Sequence, residues 1–214
     1  ELAKNFIHKW HEMHETHPNF GRYSDLGWQG WWREVVSDTF HRSGVKLSGN
    51  HLDRLSNQFI EVYKTSTFWQ YCYGTSELLE YMKTQQKTME GKEPFVLGII
   101  ANFDPRLDDL LKNLKINHYF NFILNSYECN AEKPKTEIFN TAMESSKLKN
   151  LNPDECLHIG DGPVTDCVGS RRAGWHSALI HEKDQASLTK EFGKELAECH
   201  IFSSLFDLQR RFAS

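Results

Sequence analysis

Cys156-Leu157-His158-Ile159-Gly160-Asp161-Gly162-Pro163-Val164-Thr165-Asp166 reads as a buried strand, a Gly-Asp-Gly turn and the start of a helix carrying a second acid. In an α/β protein such a turn falls at the carboxyl end of a parallel sheet, where ligands bind. Gly160 and Gly162 let the backbone turn tightly and come close to a ligand. Asp161, leaving the strand, is placed to offer an oxygen to a hard cation such as magnesium, which takes carboxylates and keeps several waters. Asp166 is placed to ligate, to orient Asp161 or Lys133, or merely to complement a helix N-terminus.

The surrounding chain supports that architecture. Phe95-Val96-Leu97-Gly98-Ile99-Ile100 is continuously apolar and predicts a fully buried strand. Asp104-Pro105 supplies an N-cap and a first-turn proline for a helix through Leu107, Leu110, Leu111 and Leu114. Phe120-Asn121-Phe122-Ile123-Leu124 predicts another strand, and Pro134 opens a helix with Ile138, Phe139 and Met143. A helix over 164–173, a strand over 176–180, a short helix near 186–197 and a last one over 204–211 close the chain. This alternation predicts an α/β fold with a parallel sheet and helices on both faces. Residues 1–70 differ. Leu2, Phe6, Trp10 and Met13 recur at helical spacing, as do the apolar residues from Trp28 to Phe40 and from Leu52 to Tyr63. They predict a small helical domain, with His17-Pro18-Asn19-Phe20-Gly21 as a loop, ahead of an α/β domain over 71–214.

Composition narrows the function. The 214 residues suit one large domain, or a domain carrying a cap. A formal net charge of −4 gives no broad basic surface, which argues against nucleic acid as partner. No apolar run is long enough to span a bilayer, and Lys4, Asn5, His8 and Lys9 interrupt any leader-like stretch. The five cysteines form no C-x-x-C pair, so we expect no disulfide framework, a reducing compartment and an intracellular location, whether cytoplasmic, nuclear or mitochondrial. Cys156 and Cys167 are expected to be buried, inert thiols. His8, His11, His14 and His17 recur every third residue, but each step turns about 60° backward on a helix, so they fan out instead of chelating. Trp28, Trp31 and Trp32 are read as packing residues, and Arg171-Arg172 as a solvated face.

Two further elements belong with the acids. Lys133, just before Pro134, would bring a compact ammonium to the same sheet edge, where it can neutralise phosphate. Asn102, after Ile99-Ile100-Ala101, offers an amide to a phosphate oxygen. Asp161, Lys133 and Asn102 are expected to share one pocket.

Taken in order, Ile99 to Leu107 (IIANFDPRL), Ser126 to Ala142 (SYECNAEKPKTEIFNTA) and Glu155 to Asp166 (ECLHIGDGPVTD) resemble the haloacid dehalogenase superfamily of hydrolases. The resemblance implies a Rossmann-like core with a helical cap over residues 1–70, and a covalent intermediate on an aspartate after the first strand. It implies magnesium held by Asp161 and Asp166, with Lys133 as the superfamily lysine. The implied substrate is a small phosphorylated metabolite. Two departures stand out. The opening strand and its nucleophile motif are absent from these residues; Val35-Val36-Ser37-Asp38-Thr39 imitates the motif poorly. Ala101 stands where the superfamily has a hydroxyl residue. The absent strand would lie in mid-sheet between the Phe95 and Cys156 strands, leaving two facing edges unpaired and open to a protein partner or to self-association. We therefore expect a phosphatase-like chain that is inactive as it stands. The alternatives are a pseudoenzyme that binds or assembles, and a fragment of an active phosphatase, to which the start at Glu1 inside an apparent helix also points.

Overall fold

A computed structural model describes residues 1–88 and 95–214. The chain divides into two compact units, one of Glu1–Trp69, Ala101–Asn117 and Asn125–Ala131, the other of Gln70–Ile100, His118–Leu124 and Glu132–Ser214.

The first unit is helical. Its elements are α1 (Leu2–Thr16), a single turn α2 (Pro18–Gly21), α3 (Gly27–Arg42) and α4 (Gly49–Val62). Met13, Phe20, Trp31 and Val35 form the core, with Trp10, Leu26, Trp28 and Trp32 packed against it. The His17–Gly21 stretch, expected as a loop, is tighter than that. Asn19 and Phe20 take left-handed φ values of 50° and 55°. Asn19 is fully buried and donates from Nδ2 to the Ser126 carbonyl at 2.8 Å. Trp31 Nε1 donates to the His17 carbonyl at 3.0 Å, which closes the polar end of an otherwise apolar residue.

The expected cap at Asp104 is also corrected. Helix α6 of this unit begins two residues beyond Pro105, at Leu107, and α5 (Thr75–Thr88) precedes it in the other unit. Asp104, 1% exposed, instead accepts from the Arg106 backbone N–H at 3.0 Å, from Arg106 Nε at 2.8 Å and from Trp32 Nε1 at 2.8 Å. The Arg106 guanidinium lies 5.3 Å and 5.2 Å from the rings of Trp28 and Trp32. A buried charge pair beats a helix cap here because both ions would otherwise be unpaired. α6 runs Leu107–Asn113, and α7 (Ser126–Cys129) follows later in the unit.

The second unit holds the sheets. Strands β1 (Gly98–Ala101) and β2 (Phe122–Asn125) are hydrogen-bonded neighbours. Strands β3 (Leu157–Gly160), β4 (His176–Ile180) and β5 (His200–Phe202) form a second sheet in that order, parallel throughout. Around them lie α8 (Thr136–Ser146), α9 (Gly169–Arg172), α10 (Gln185–Phe192) and α11 (Leu205–Ala213). The period-two alternation of β4 places helices on both faces. Ala178 and Ile180 face Leu78 of α5 and Leu208 of α11. Leu179 faces Val168, Leu188 and Leu196 on the opposite side.

Five points differ from expectation. The 95–100 strand starts only at Gly98, and Ile99 and Ile100 are half-buried, not fully buried. Leu157 at the head of β3 is 42% exposed. Both follow from edge position, since no strand among the described residues joins β1 to β3. The helix near 186–197 breaks at Gly193 (φ 103°) into α10 and a 3-10 turn over Lys194–Glu198. Strand β5 went unforeseen, because three residues are too few to display a period. Finally, Cys167 and Cys199, 32 residues apart with Cα atoms 6.4 Å apart, form a disulfide. A search for adjacent cysteines cannot find a pair assembled by the fold.

Candidate functional site

The Gly-Asp-Gly turn follows β3 as the sequence indicates, but the helix start is a π-turn over Pro163–Val168. The Asp166 and Cys167 amides both reach the Gly162 carbonyl, at 2.9 and 3.2 Å. This winding turns Asp166 back over the two glycines. A Cβ on Gly160 would lie 2.3 Å from Asp166 Cγ, and one on Gly162 would lie 2.1 Å from Thr165 Oγ1. Glycine at these positions therefore serves close approach.

Asp166 is 5% exposed and saturated with donors. Its Oδ2 accepts the Gly162 N–H at 2.7 Å. Its Oδ1 accepts from the Lys133 ammonium and from His158 Nε2, the latter at 2.8 Å. Burial alone would push the Asp166 carboxyl up, but the His158 hydrogen bond and the Lys133 charge outweigh it and hold the group well below the usual carboxylate range. Burial pushes His158 down, against the pull of Asp166. Lys133 Nζ also donates to the Ile100 carbonyl at 3.0 Å. The lysine thus ties the end of β1 to the turn after β3, two strands that no strand among the described residues joins. Asp161 stands on the exposed turn five residues before Asp166.

Lys133 and Asp166, both read from the sequence, are brought into direct contact. Ala101 ends β1 and Asn102 follows it; both are half-buried and belong to the first unit. His158 was missed. Its signal was a polar residue inside the apolar strand Leu157-His158-Ile159, since a buried polar side chain needs a partner. Among the described residues no three His, Cys, Asp or Glu side chains gather closely enough to hold a metal ion. Both Asp166 oxygens accept hydrogen bonds from within the protein, and Asp161 is the exposed carboxylate of the pair. No helix among the described residues is long and apolar enough to cross a membrane.

A family model described as haloacid dehalogenase-like hydrolase matches residues 1–174. The chain is 49% identical over 213 residues to the rhythmically expressed gene 2 protein of Drosophila melanogaster, covering 99% of this chain and 80% of that one. It is 29% identical over 203 residues to haloacid dehalogenase-like hydrolase domain-containing protein 3 of Xenopus laevis, covering 95% and 77%. Among solved structures, the magnesium-bound HAD-hydrolase YfnB of Bacillus subtilis superposes with a TM-score of 0.64 at 16% identity, covering 100% of this chain and 81% of that one. At that identity the likeness concerns the fold alone.

Proposed function

This chain belongs to the haloacid dehalogenase-like hydrolase family, and from that premise we propose that its sheet edge is the phosphate-facing part of a phosphoester hydrolase for a small phosphorylated metabolite. The observation that carries this reading is the Lys133 ammonium, held by Asp166 and the Ile100 carbonyl where β1 and β3 end, with the exposed Asp161 directly after β3 in the chain. A compact cation fixed on a strand-end loop suits the oxygens of a phosphoryl group and the charge that develops on them in transfer. Asp161 is the carboxylate of the pair whose position suits a cation. The reading gives Asp166 the task of holding Lys133 and the Gly162 turn. It gives Asn102 the task of donating an amide to a phosphate oxygen, and residues 1–70 that of a cap. Magnesium, by family, would screen phosphate charge. Asp161, with Asp166 behind it, would hold that ion together with several waters.

We further propose that these 214 residues alone turn over phosphate esters little or not at all, because the superfamily's opening strand with its acidic nucleophile is not among them and Ala101 contributes no hydroxyl. The test is phosphate release from generic phosphate esters with magnesium, beside NMR titration with inorganic phosphate. The expected result is no turnover, with phosphate shifting the amides of Gly160, Asp161 and Gly162. Turnover abolished by Asp161→Asn would refute inactivity. An absence of phosphate-induced shifts would remove the phosphate-facing reading. A second reading rests on the unjoined edges of β1 and β3: a module that receives a β-strand from a protein partner or from a second copy.

A further inference from the structure

His158 is the polar residue of the cluster that neither the turn motif nor the hydrolase reading employs. We propose that His158 is a positioning residue: its Nε2–H fixes the Asp166 carboxylate, and through it the Lys133 ammonium, at the ends of β1 and β3.

An ionised carboxylate only accepts hydrogen bonds, so the ring nitrogen 2.8 Å from Asp166 Oδ1 must carry the proton, whatever the charge of the ring. Oδ1 then receives His158 and Lys133, and Oδ2 receives the Gly162 amide at 2.7 Å. Three donors from three directions leave the carboxylate one orientation. They differ in how firmly they are founded. The Lys133 ammonium ends a flexible four-carbon stem on a connecting segment. The Gly162 amide belongs to the turn itself. His158 stands on β3, paired with β4 from Leu157 to Gly160, and its ring meets the fully buried Phe139 edge-on at a centroid distance of 5.4 Å. The strand is therefore the rigid base, and the imidazole transmits its position to the carboxylate. The role concerns where the lysine is held, not turnover. It stands or falls apart from the hydrolase reading.

The test is ¹⁵N NMR of the 214-residue chain. An imidazole correlation spectrum is expected to show His158 protonated on Nε2. A lysine side-chain spectrum is expected to show a Lys133 ammonium cross-peak protected from exchange, assigned by its disappearance in Lys133→Arg. His158→Leu keeps apolar bulk and removes the donor, so the Lys133 peak should be lost. His158→Gln offers an amide N–H near the former Nε2, so the peak should return. An Nδ1–H tautomer, or no Lys133 peak in the unmodified chain, overturns the proposal without any variant, which keeps it decidable even if the variants do not fold. A Lys133 peak undiminished in His158→Leu overturns it. So does loss in both variants while the β3 and β4 amide shifts stay unchanged, because a donor at that place would then not suffice.

Discussion

Asp166 gathers a lysine, a histidine and a backbone amide on one buried carboxylate, and such a group is costly to break. Asp166→Ala would take a carboxylate away from the largely covered Lys133 and leave the His158 and Gly162 donors without their acceptor, and we expect a loss of about 3–5 kcal/mol in denaturant unfolding. Lys133→Met in the same background should recover part of that loss, since it removes the charge that Asp166 balanced, and the double-mutant cycle measures the coupling. His14 gives a second residue-scale case. Its ring lies against Trp10, Phe20 and Trp31, its Nε2 has no hydrogen-bond partner among the described residues, and burial pushes it down from 6.5 to about 4. Between those values the unfolded chain binds a proton that the folded chain refuses, so this stability is present above pH 6.5 and is lost as pH falls toward 4. The denaturation midpoint should drop over that window, and His14→Phe should flatten the drop. An unchanged slope in the variant would assign the acid sensitivity elsewhere. These residues differ in how far the sequence revealed them. Asp161, Asp166 and Lys133 stand at fixed offsets from a strand end or a helix-opening proline, which is why they could be named. His158 and His14 sit at ordinary apolar positions, and what each faces depends on how the chain turns back after β3 or after α1, which no local pattern displays.

At the scale of elements, the turn after β3 shows where local reading stops. The strand, the glycines and the acid were legible because each leaves a local chemical mark. The π-winding was not, since it depends on Asp166 finding its partners and on Cys167 being tied to the loop before β5. Asp104 was misread for the same reason: an Asp-Pro pair resembles a helix start until Arg106 and Trp32 claim the carboxylate. The Cys167–Cys199 link gives a prediction at this scale. A bridge across 32 residues should stabilise by roughly 3–4 kcal/mol through the entropy of the unfolded chain. Cys199→Ser should lower the unfolding free energy by about that amount. The non-reduced chain, alkylated in denaturant, should take label on Cys72, Cys129 and Cys156 alone. Label on all five cysteines would show the pair to be thiols in solution.

For the whole molecule, the alternation of strands and helices foretold the α/β class and the two-faced packing of β4, while the state of the sheet edges shows only when strand partners are counted. β4 is bonded on both sides, β3 and β1 on one side each among the described residues. In a parallel strand alternate amides point to opposite neighbours, so half of the β1 and β3 amides face an edge without a strand. Hydrogen exchange should therefore be slowest through Ser177, Ala178 and Leu179, and should alternate between fast and slow along β1 and β3. The exposure of Leu157 and the half-burial of Ile99 and Ile100 make that edge apolar as well as unpaired, the combination that invites pairing with another chain. Protection of the fast amides should rise with protein concentration, in step with the sedimentation-average mass, if a second copy occupies the edge. Concentration-independent fast exchange would leave a strand from a different polypeptide as the occupant to seek. Slow exchange along both strands in a monomer at high dilution would mean that the chain closes its own sheet, and the strand-accepting reading would then fall while the Lys133–Asp166–His158 cluster stood unaffected.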